Sequence, residues 1–264
     1  MRFLLPLGMM LAMAAPQAMA DTATSARPPK DEHWSYEGPF GHYDRAALQR
    51  GFQVYKEVCS ACHSLNRVAF HALSEPGGPE FTDAEMKAIA AAYKVPAGPN
   101  DKGETVDANG TPLTRAGTPA DTFPPPFANE QAARTANNGA LPPDLSLIVK
   151  ARDGGARYVY SILTGFQEKP PAWFHVMANK YYNPYFDGWN ISMPPPLKPN
   201  IVTYSDGTKA TIEQEAHDVA TFLSWASEPK MEERKRLGFG VVAFLLLLSG
   251  LLFLSYRKVW KDMH

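Results

Sequence analysis

The sequence predicts a mainly helical domain with long irregular segments that continues into one C-terminal transmembrane helix. Residues 237–256 carry no charged side chain, and several other segments repeat apolar residues at helical spacing, whereas strand patterns are scarce. The 264 residues include 24 prolines and 19 glycines, a content that requires much irregular chain. Only two cysteines are present, which excludes a disulfide-stapled secreted scaffold.

The first twenty residues match a secretory signal peptide. Arg2 precedes an apolar run over residues 3–15, and Ala18-Met19-Ala20 form an A-x-A cleavage signal. An uncleaved anchor is the alternative, but the apolar run is short for a membrane span and is interrupted by Pro6 and Gly8. We therefore predict cleavage after residue 20 and export of the chain that follows.

The apolar segment 237–256 predicts a transmembrane helix, because its residues rise about 30 Å, the thickness of the hydrocarbon core. Basic residues flank it on both sides, at 234–236 and 257–258, so charge alone does not orient it. Export of the preceding domain orients the helix instead. Residues 230–236 are then a basic stalk outside the cytoplasm, and the tail 257–264 lies in the cytoplasm.

The exported domain, residues 21–229, carries recognisable helix starts. Asp44 is positioned to cap a helix that runs through residue 65. A capping box at 82–85 starts a second helix, which runs to residue 95. A second capping box at 211–214 starts a helix that runs through Trp225 and is ended by Pro229. Two short helices are predicted at 144–152 and 156–166, on either side of Gly154-Gly155. Residues 95–143 and 173–203 are predicted to be irregular; loops of such length are functional or disordered.

Residues 59–63 read Cys-Ser-Ala-Cys-His, the CxxCH signature of c-type haem attachment. Two thiols at this spacing can form thioethers with the two vinyl groups of one porphyrin, and His63 follows as a ligand for the iron. Three alternatives compete. A thioredoxin-like dithiol requires a βαβ context, a zinc site requires further ligands, and a disulfide across two residues leaves His63 unexplained.

An iron held by His63 takes either a sixth ligand or an open site, and methionine is the usual sixth ligand in electron-transfer cytochromes. Of the exported methionines, Met231 adjoins the stalk, Met86 fits the core face of a helix, and Met177 has no special setting. Met193 precedes three prolines, whose fixed φ angles give a stiff extended segment that can present the thioether. We predict Met193 as the sixth ligand; histidines 33, 42, 71, 175 and 217 are the rivals for a bis-histidine site.

The sequence resembles the cytochrome c1 family, the haem-bearing subunit of cytochrome bc1 complexes. The resemblance is carried by GFQVYKEVCSACHS at 51–64, the block from Ala128 to Phe166 that contains ANNGALPPDLS, NPYFDGWNISMPPPL at 183–197, and the C-terminal span with its short basic tail. CxxCH alone indicates only a c-type cytochrome, whereas these blocks in this order cover most of the mature chain.

The resemblance implies a class I cytochrome c-like helical fold with long insertions, one covalent haem c, thioethers at Cys59 and Cys62, and axial ligands His63 and Met193. It also implies that Arg152 contacts a haem propionate and Tyr158 lines the pocket. Asn137, Pro142 and Pro143 match a loop packed on the haem face. A buried propionate requires a charge-assisted partner, which suits Arg152, although a solvated arginine at a helix end is the alternative.

The implied role is a non-catalytic electron-transfer subunit of quinol:cytochrome c oxidoreductase in a bacterial inner membrane, with its haem domain in the periplasm. The implied partners are cytochrome b, a Rieske iron–sulfur protein, soluble cytochrome c and a second copy of the complex. Some bacterial relatives brace the region before the methionine ligand with a disulfide; this chain has no spare cysteine. Packing and proline must hold Met193 instead.

The net charge of −1 argues against a nucleic-acid partner but conceals an asymmetry. Residues 21–229 carry 24 acidic against 18 basic side chains, and residues 230–264 carry three against seven. The stretch 75–121, with eight acidic and four basic residues, is the candidate docking surface for a basic cytochrome c; an acidic loop that is merely solvated is the alternative. Two other functions stay open: an anchored cytochrome of another oxidase or dehydrogenase, and a non-redox exported adaptor.

Overall fold

A computed structural model describes residues 24–261. The predicted signal peptide and the last three residues of the tail lie outside the described residues. The described chain forms six α-helices and two short antiparallel hairpins: α1 (Arg45–Glu57), α2 (Asp83–Ala92), β1 (Lys94–Pro96), β2 (Thr114–Ala116), α3 (Glu130–Ala136), α4 (Gly155–Thr164), β3 (Tyr181–Tyr182), β4 (Asn190–Ile191), α5 (Ile212–Ser227) and α6 (Met231–Trp260).

The centre of the domain is the packing of α1 against α5, with α4 on another side of α5. Gly51 makes the close crossing possible, since a Cβ at that position would lie 2.0 Å from the backbone oxygen of Asp218. Phe52 and Tyr55 of α1 contact Phe222 of α5 in an aromatic core that also contains Phe123. The side chain of Trp225 is fully buried at the end of this layer.

The helix starts are confirmed, but α1 is shorter than predicted. Asp44 accepts hydrogen bonds from the amides of Ala46 and Ala47, as a cap should. The helix ends at Glu57 rather than at residue 65, and Cys59–Ala61 form a 3-10 turn. The hydroxyl of Ser60 donates to the carbonyl of Lys56 and so competes with continuation of the helical ladder.

The predicted irregular segment 95–143 contains more structure than expected. The strands β1 and β2 pair across it, and α3 begins after Asn129, whose side chain accepts from the amide of Ala132. The hairpin was missed because its strands are three residues long, too short to show alternation.

The helix predicted at 144–152 is wrong, because these residues form consecutive turns. The amide of Leu145 donates to the carbonyl of Ser64, and the amide of Ser146 donates to the Asp144 carboxylate. Within the segment, the amides of Ile148 and Lys150 donate to carbonyls three residues back, so the continuous four-residue ladder of an α-helix does not form. The second predicted helix exists as α4, which starts after Gly154 in the left-handed conformation, φ 82°.

The helices α2 and α5 begin as predicted. Thr82 and Glu85 form both halves of a capping box, and Thr211 accepts from the amide of Gln214. The helix α6 starts at Met231, a core residue, so the predicted basic stalk forms its first turns. It continues without interruption through the apolar segment, whose most apolar window is entirely exposed, and it is long and apolar enough to cross a membrane.

Candidate functional site

The CxxCH segment leaves α1 through the 3-10 turn and places His63 beside Pro143. His63 Nδ1 lies 2.8 Å from the Pro143 carbonyl oxygen, which can only accept, so the proton is on Nδ1. Burial lowers the pKa of His63, and the bond to Pro143 and the charge of Asp144 offset only part of that effect. The neutral ring therefore keeps a lone pair on Nε2, the atom that can ligate a metal.

The turn 142–146 is tied to the CxxCH segment by a further set of hydrogen bonds. The Asp144 carboxylate accepts from Ser64 Oγ at 2.7 Å and from the amide of Asn66 at 2.9 Å. The Ser146 hydroxyl accepts from the amide of Arg67 at 3.1 Å. Sequence reasoning missed Asp144 and Ser146, although an aspartate two residues before a serine is a recognisable turn signal.

Met193 lies two residues beyond the end of β4 and is half-buried. Before it, Ser192 accepts from the Lys180 ammonium, and Ile191 is buried in the β3–β4 hairpin. After it, the chain returns to the main core at Leu197. A cleft of about 500 Å³ lies beside this segment, and Leu163, Phe166, Pro195 and Leu197 are among the residues that line it.

The segment before Met193 is held by aromatic packing, as predicted in the absence of a disulfide. Trp189 contacts Trp173, Phe174 and Tyr182, and its indole N–H donates to the carbonyl of Ser25. Fully buried Asn183 donates from its amide nitrogen to the carbonyl of Ile162 in α4 at 2.8 Å. These contacts pin both ends of the β3–β4 connection to the domain.

The other methionines of the described residues have different settings. Met86 and Met231 are packed in the core, and Met177 is 64% exposed. Met193 is thus the one methionine in residues 24–261 that is neither buried in the core nor largely exposed.

Four of the rival histidines lie beside carboxylates. His33 is near Glu37, His42 near Glu232, His71 near Glu75 and His217 near Asp218. The fifth, His175, is exposed. Surface pairing of this kind is the ordinary use of a histidine, and it gives none of the five a setting suited to a bis-histidine site.

Met193 and the remaining predicted residues are not joined to His63 by any contact described. Arg152 is exposed, and its guanidinium donates to the neighbouring carbonyl of Ala151. Tyr158 is half-buried on α4. The Asn137 amide donates to the carbonyl of Ala133 and so closes the end of α3. Their predicted roles toward a cofactor remain predictions.

The alternatives for the cysteine pair fit this surrounding poorly. Cys59 and Cys62 form no disulfide in the structure, and burial raises the pKa of Cys59 to about 12, opposite to the lowered pKa of a redox dithiol. The described strands form two antiparallel hairpins rather than a βαβ unit. Within residues 24–261 no group of three or more His, Cys, Asp or Glu side chains could hold a metal ion, although a zinc site requires one.

The donor set matches a haem instead. Two thiols at the required spacing, an imidazole with a free Nε2 and a half-buried thioether on a stiff segment are the groups a c-type haem uses.

A family model described as the Cytochrome C1 family matches residues 34–263. The chain belongs to the cytochrome c1 family. A protein named cytochrome c1 from Rhodospirillum rubrum is 44% identical over 99% of this chain and 97% of its own length. A protein named cytochrome b-c1 complex catalytic subunit, mitochondrial, from Candida albicans is 46% identical over 89% of this chain and 78% of its own.

A third relative is longer than this chain. A protein named cytochrome b/c1 from Bradyrhizobium diazoefficiens is 48% identical over 91% of this chain but only 36% of its own length. This chain therefore spans about a third of that relative.

Membership of the cytochrome c1 family makes the chain the haem subunit of the bc1 complex and an electron-transfer protein. It agrees with the mainly helical fold and the candidate membrane helix described above.

Proposed function

We propose that the chain holds one haem c covalently and relays single electrons within a bc1 complex. Cys59 and Cys62 would hold the haem through thioethers, and His63 Nε2 and the Met193 thioether would ligate its iron. The hydrogen bond from His63 Nδ1 to the Pro143 carbonyl carries this proposal, because it orients the imidazole and leaves Nε2 free for iron. When bound, the haem supplies a one-electron ferric/ferrous couple whose potential is raised by methionine ligation.

Around the haem, Tyr158, Asn137, Pro142 and Pro143 would line the pocket, and Arg152 would pair with a propionate. Arg152 is free to do so, since its guanidinium makes only a hydrogen bond to the adjacent backbone carbonyl in the structure. The turn 142–146 fixes the Pro143 carbonyl through Asp144, and so holds the imidazole of His63 in one orientation.

In this role the chain takes an electron from a Rieske iron–sulfur protein and passes one electron to a soluble cytochrome c. No bond is made or broken in the protein. Two relatives support the setting: the name of one joins cytochromes b and c1, and the name of the other places it in a b-c1 complex. Helix α6 would anchor the chain by a single pass, with the haem domain in the periplasm and the C-terminus in the cytoplasm.

Haem staining after denaturing electrophoresis tests covalent attachment, since only thioether-bound haem survives denaturation. We expect a stained band for the unsubstituted chain and none for the variant in which Cys59 and Cys62 are both changed to Ser. An unstained native chain would contradict both the haem c assignment and the roles of the two cysteines.

The sixth ligand is tested by Met193→Leu, with Met177→Leu as the matched control because Met177 is exposed. Loss of the thioether should lower the reduction potential by on the order of 100 mV or open the iron to added ligands. Met177→Leu should leave potential and spectrum unchanged. The assignment fails if Met193→Leu also leaves them unchanged.

Copurification tests the setting. A tagged chain should bring down a multi-span cytochrome b and a Rieske protein from detergent-solubilised membranes. Recovery of a different oxidase or dehydrogenase would instead support the anchored cytochrome of another enzyme.

A further inference from the structure

The loop 36–42 lies against the start of the membrane helix and exposes an aromatic side chain there. Phe40 is 74% exposed, and its ring stacks on that of Phe239, with centroids 4.9 Å apart and planes at 10°. Phe239 belongs to the uncharged segment 237–256. A single exposed phenylalanine is common on protein surfaces. Phe40, however, extends the apolar surface of the segment 237–256, which requires lipid or protein around it.

The loop is fixed to α6. The Lys235 ammonium donates to the carbonyls of Tyr36 at 2.7 Å and Gly41 at 3.1 Å. One turn earlier on the same face of the helix, Glu232 accepts from the amide of Tyr43 and, through both oxygens, from Arg45. Since Met231 is a core residue, α6 leaves the domain without a flexible linker. The loop 36–42 is therefore held at a fixed position along the axis of α6.

The position of the loop along α6 corresponds to the membrane interface. Phe239 is three residues beyond Arg236, the last of the basic residues, which corresponds to about 4.5 Å along the helix. The Phe40 ring is therefore placed just below the level of the exposed Arg236 guanidinium. Aromatic rings favour this zone, where the headgroups meet the acyl chains.

The charges around the loop are compatible with an anionic surface. Three carboxylates of the loop, of α6 and of its surroundings form salt bridges: Glu37 with Arg157, Glu75 with Lys230 and Glu232 with Arg45. Glu233 is exposed on α6, but residues 230–236 carry four basic side chains against Glu232 and Glu233. Glu228 pairs with both Arg234 and Lys150. Arg236 is exposed at the same level and can approach lipid phosphates.

We propose that residues 38–41 form a second membrane contact, in which Phe40 inserts into the interface of an anionic phospholipid bilayer beside Phe239 while Arg236 meets the headgroups. This inference rests on the proposed single-pass anchoring. A lone helix leaves the domain free to tilt about its axis, whereas two contact points restrict the tilt. The haem domain is then held at a constant inclination to the membrane.

A depth measurement on the haem-loaded full chain, reconstituted in vesicles of phosphatidylcholine and phosphatidylglycerol, tests the proposal. Phe40→Cys is labelled with a nitroxide, and its accessibility to oxygen, which dissolves in lipid, is compared with that to a water-soluble nickel chelate. Pro39→Cys repeats the measurement at the loop tip while leaving the ring stack intact. The unsubstituted chain, labelled in parallel, should take up no nitroxide if Cys59 and Cys62 carry haem.

Two reference positions bracket the result. Leu246→Cys lies in the middle of α6 and reports a label in lipid. Lys209→Cys is exposed next to the start of α5, about 24 Å along that helix from its junction with α6, and reports a label in water. We expect the oxygen-to-nickel ratio at positions 39 and 40 to exceed that at 209 severalfold and to fall below that at 246.

The outcomes separate the two ideas. If position 246 lies in lipid but positions 39 and 40 match position 209, the membrane contact is wrong and the anchoring stands. If position 246 is itself aqueous, the anchoring is wrong and the contact falls with it. If both reagents are excluded from position 40 in the intact bc1 complex, a protein surface covers the loop and the lipid contact is overturned.

Discussion

Asp144 shows how much one carboxylate contributes to the candidate haem site. Burial opposes its ionisation, but hydrogen bonds from Asn66, Ser146 and Ser64 outweigh that effect and keep its pKa below the ordinary value. The ionised group therefore joins the chain just after His63 to the chain just after Pro143. Charge-assisted bonds of this kind are roughly twice as strong as neutral ones, which explains how two short turns hold an imidazole in place.

Glu215 is the opposite case. It is fully buried on α5, and neither carboxyl oxygen has a hydrogen-bond partner in the described part of the chain. Burial raises its pKa to about 7. A group with this setting is protonated in the folded domain over a pH range in which it is ionised in the unfolded chain.

The stability that Glu215 contributes to the domain should therefore fall as pH rises from about 4.5 to 7, because the unfolded state releases this proton first. The loss attributable to Glu215 is on the order of 3 kcal/mol, levelling off above its folded pKa. Urea unfolding of the full chain in detergent, followed at several pH values, measures it. Glu215→Gln should remove this part of the slope.

Glu213→Gln is the control, since Glu213 is exposed on the same helix. It should leave the pH dependence as in the unsubstituted chain. Parallel slopes for Glu215→Gln and the unsubstituted chain would show that Glu215 ionises normally and would contradict the prediction.

At the scale of elements, the crossing of α1 and α5 depends on Gly51. A methyl group at this position would meet the Asp218 oxygen at 2.0 Å and the Phe222 Cβ at 2.8 Å, and the first of these is backbone that cannot rotate away. The helices must then separate, which disrupts the aromatic contacts between Phe52, Tyr55 and Phe222.

We expect Gly51→Ala to lower the free energy of unfolding by about 3 kcal/mol, at the upper end for overpacking in a core. Gly98→Ala is the matched control, because an added Cβ there has no atom within 4 Å. The control should change stability by less than about 0.5 kcal/mol. Comparable stability of the two variants in thermal unfolding would mean that the helices do not cross this closely.

The sequence predicted elements where local signals decide the structure. Asp44, the Thr82–Glu85 box and Thr211 each mark a true helix start, because capping depends on neighbours three residues away. It failed at 144–152, where a short helix was expected before Gly154-Gly155 but the backbone hydrogen bonds mostly join residues three apart. Local propensity does not distinguish such turns from a short helix.

The same division applies to the candidate site. Cys59, Cys62 and His63 stand out because their spacing is itself the chemistry. Asp144 and Asn183 cannot be recognised in the sequence, since each acts through a contact with a residue far away in the chain. The membrane helix was predicted from composition alone, but its continuity with the core at Met231 depends on tertiary packing.

At the scale of the whole molecule, the acidic excess of the haem domain is partly consumed by local pairing. In the candidate docking stretch 75–121, Glu75, Glu80 and Asp121 form salt bridges with Lys230, Arg45 and Arg115. Asp101 and Glu104 are exposed in a turn of the same stretch, and no cation pairs with them in the described residues. These two carboxylates are thus available to attract a basic acceptor.

We expect the second-order rate constant for reduction of a basic cytochrome c to fall roughly tenfold from low to high ionic strength, as steering predicts. Neutralising Asp101 and Glu104 together, to Asn and Gln, should lower the low-salt rate about fourfold, since each charge about 10 Å from a cation in water contributes roughly 0.4 kcal/mol. Stopped-flow kinetics across a salt series measures both effects.

Glu213→Gln is again the control, because it removes an exposed charge outside the stretch. An equal effect per charge from this control would mean that the domain steers by its total charge and that residues 75–121 have no special part. A rate that does not change with salt would exclude steering altogether. A selective effect of the 101/104 pair is the result that places the acceptor beside this turn, because Coulomb attraction within a Debye length depends on where the charge sits.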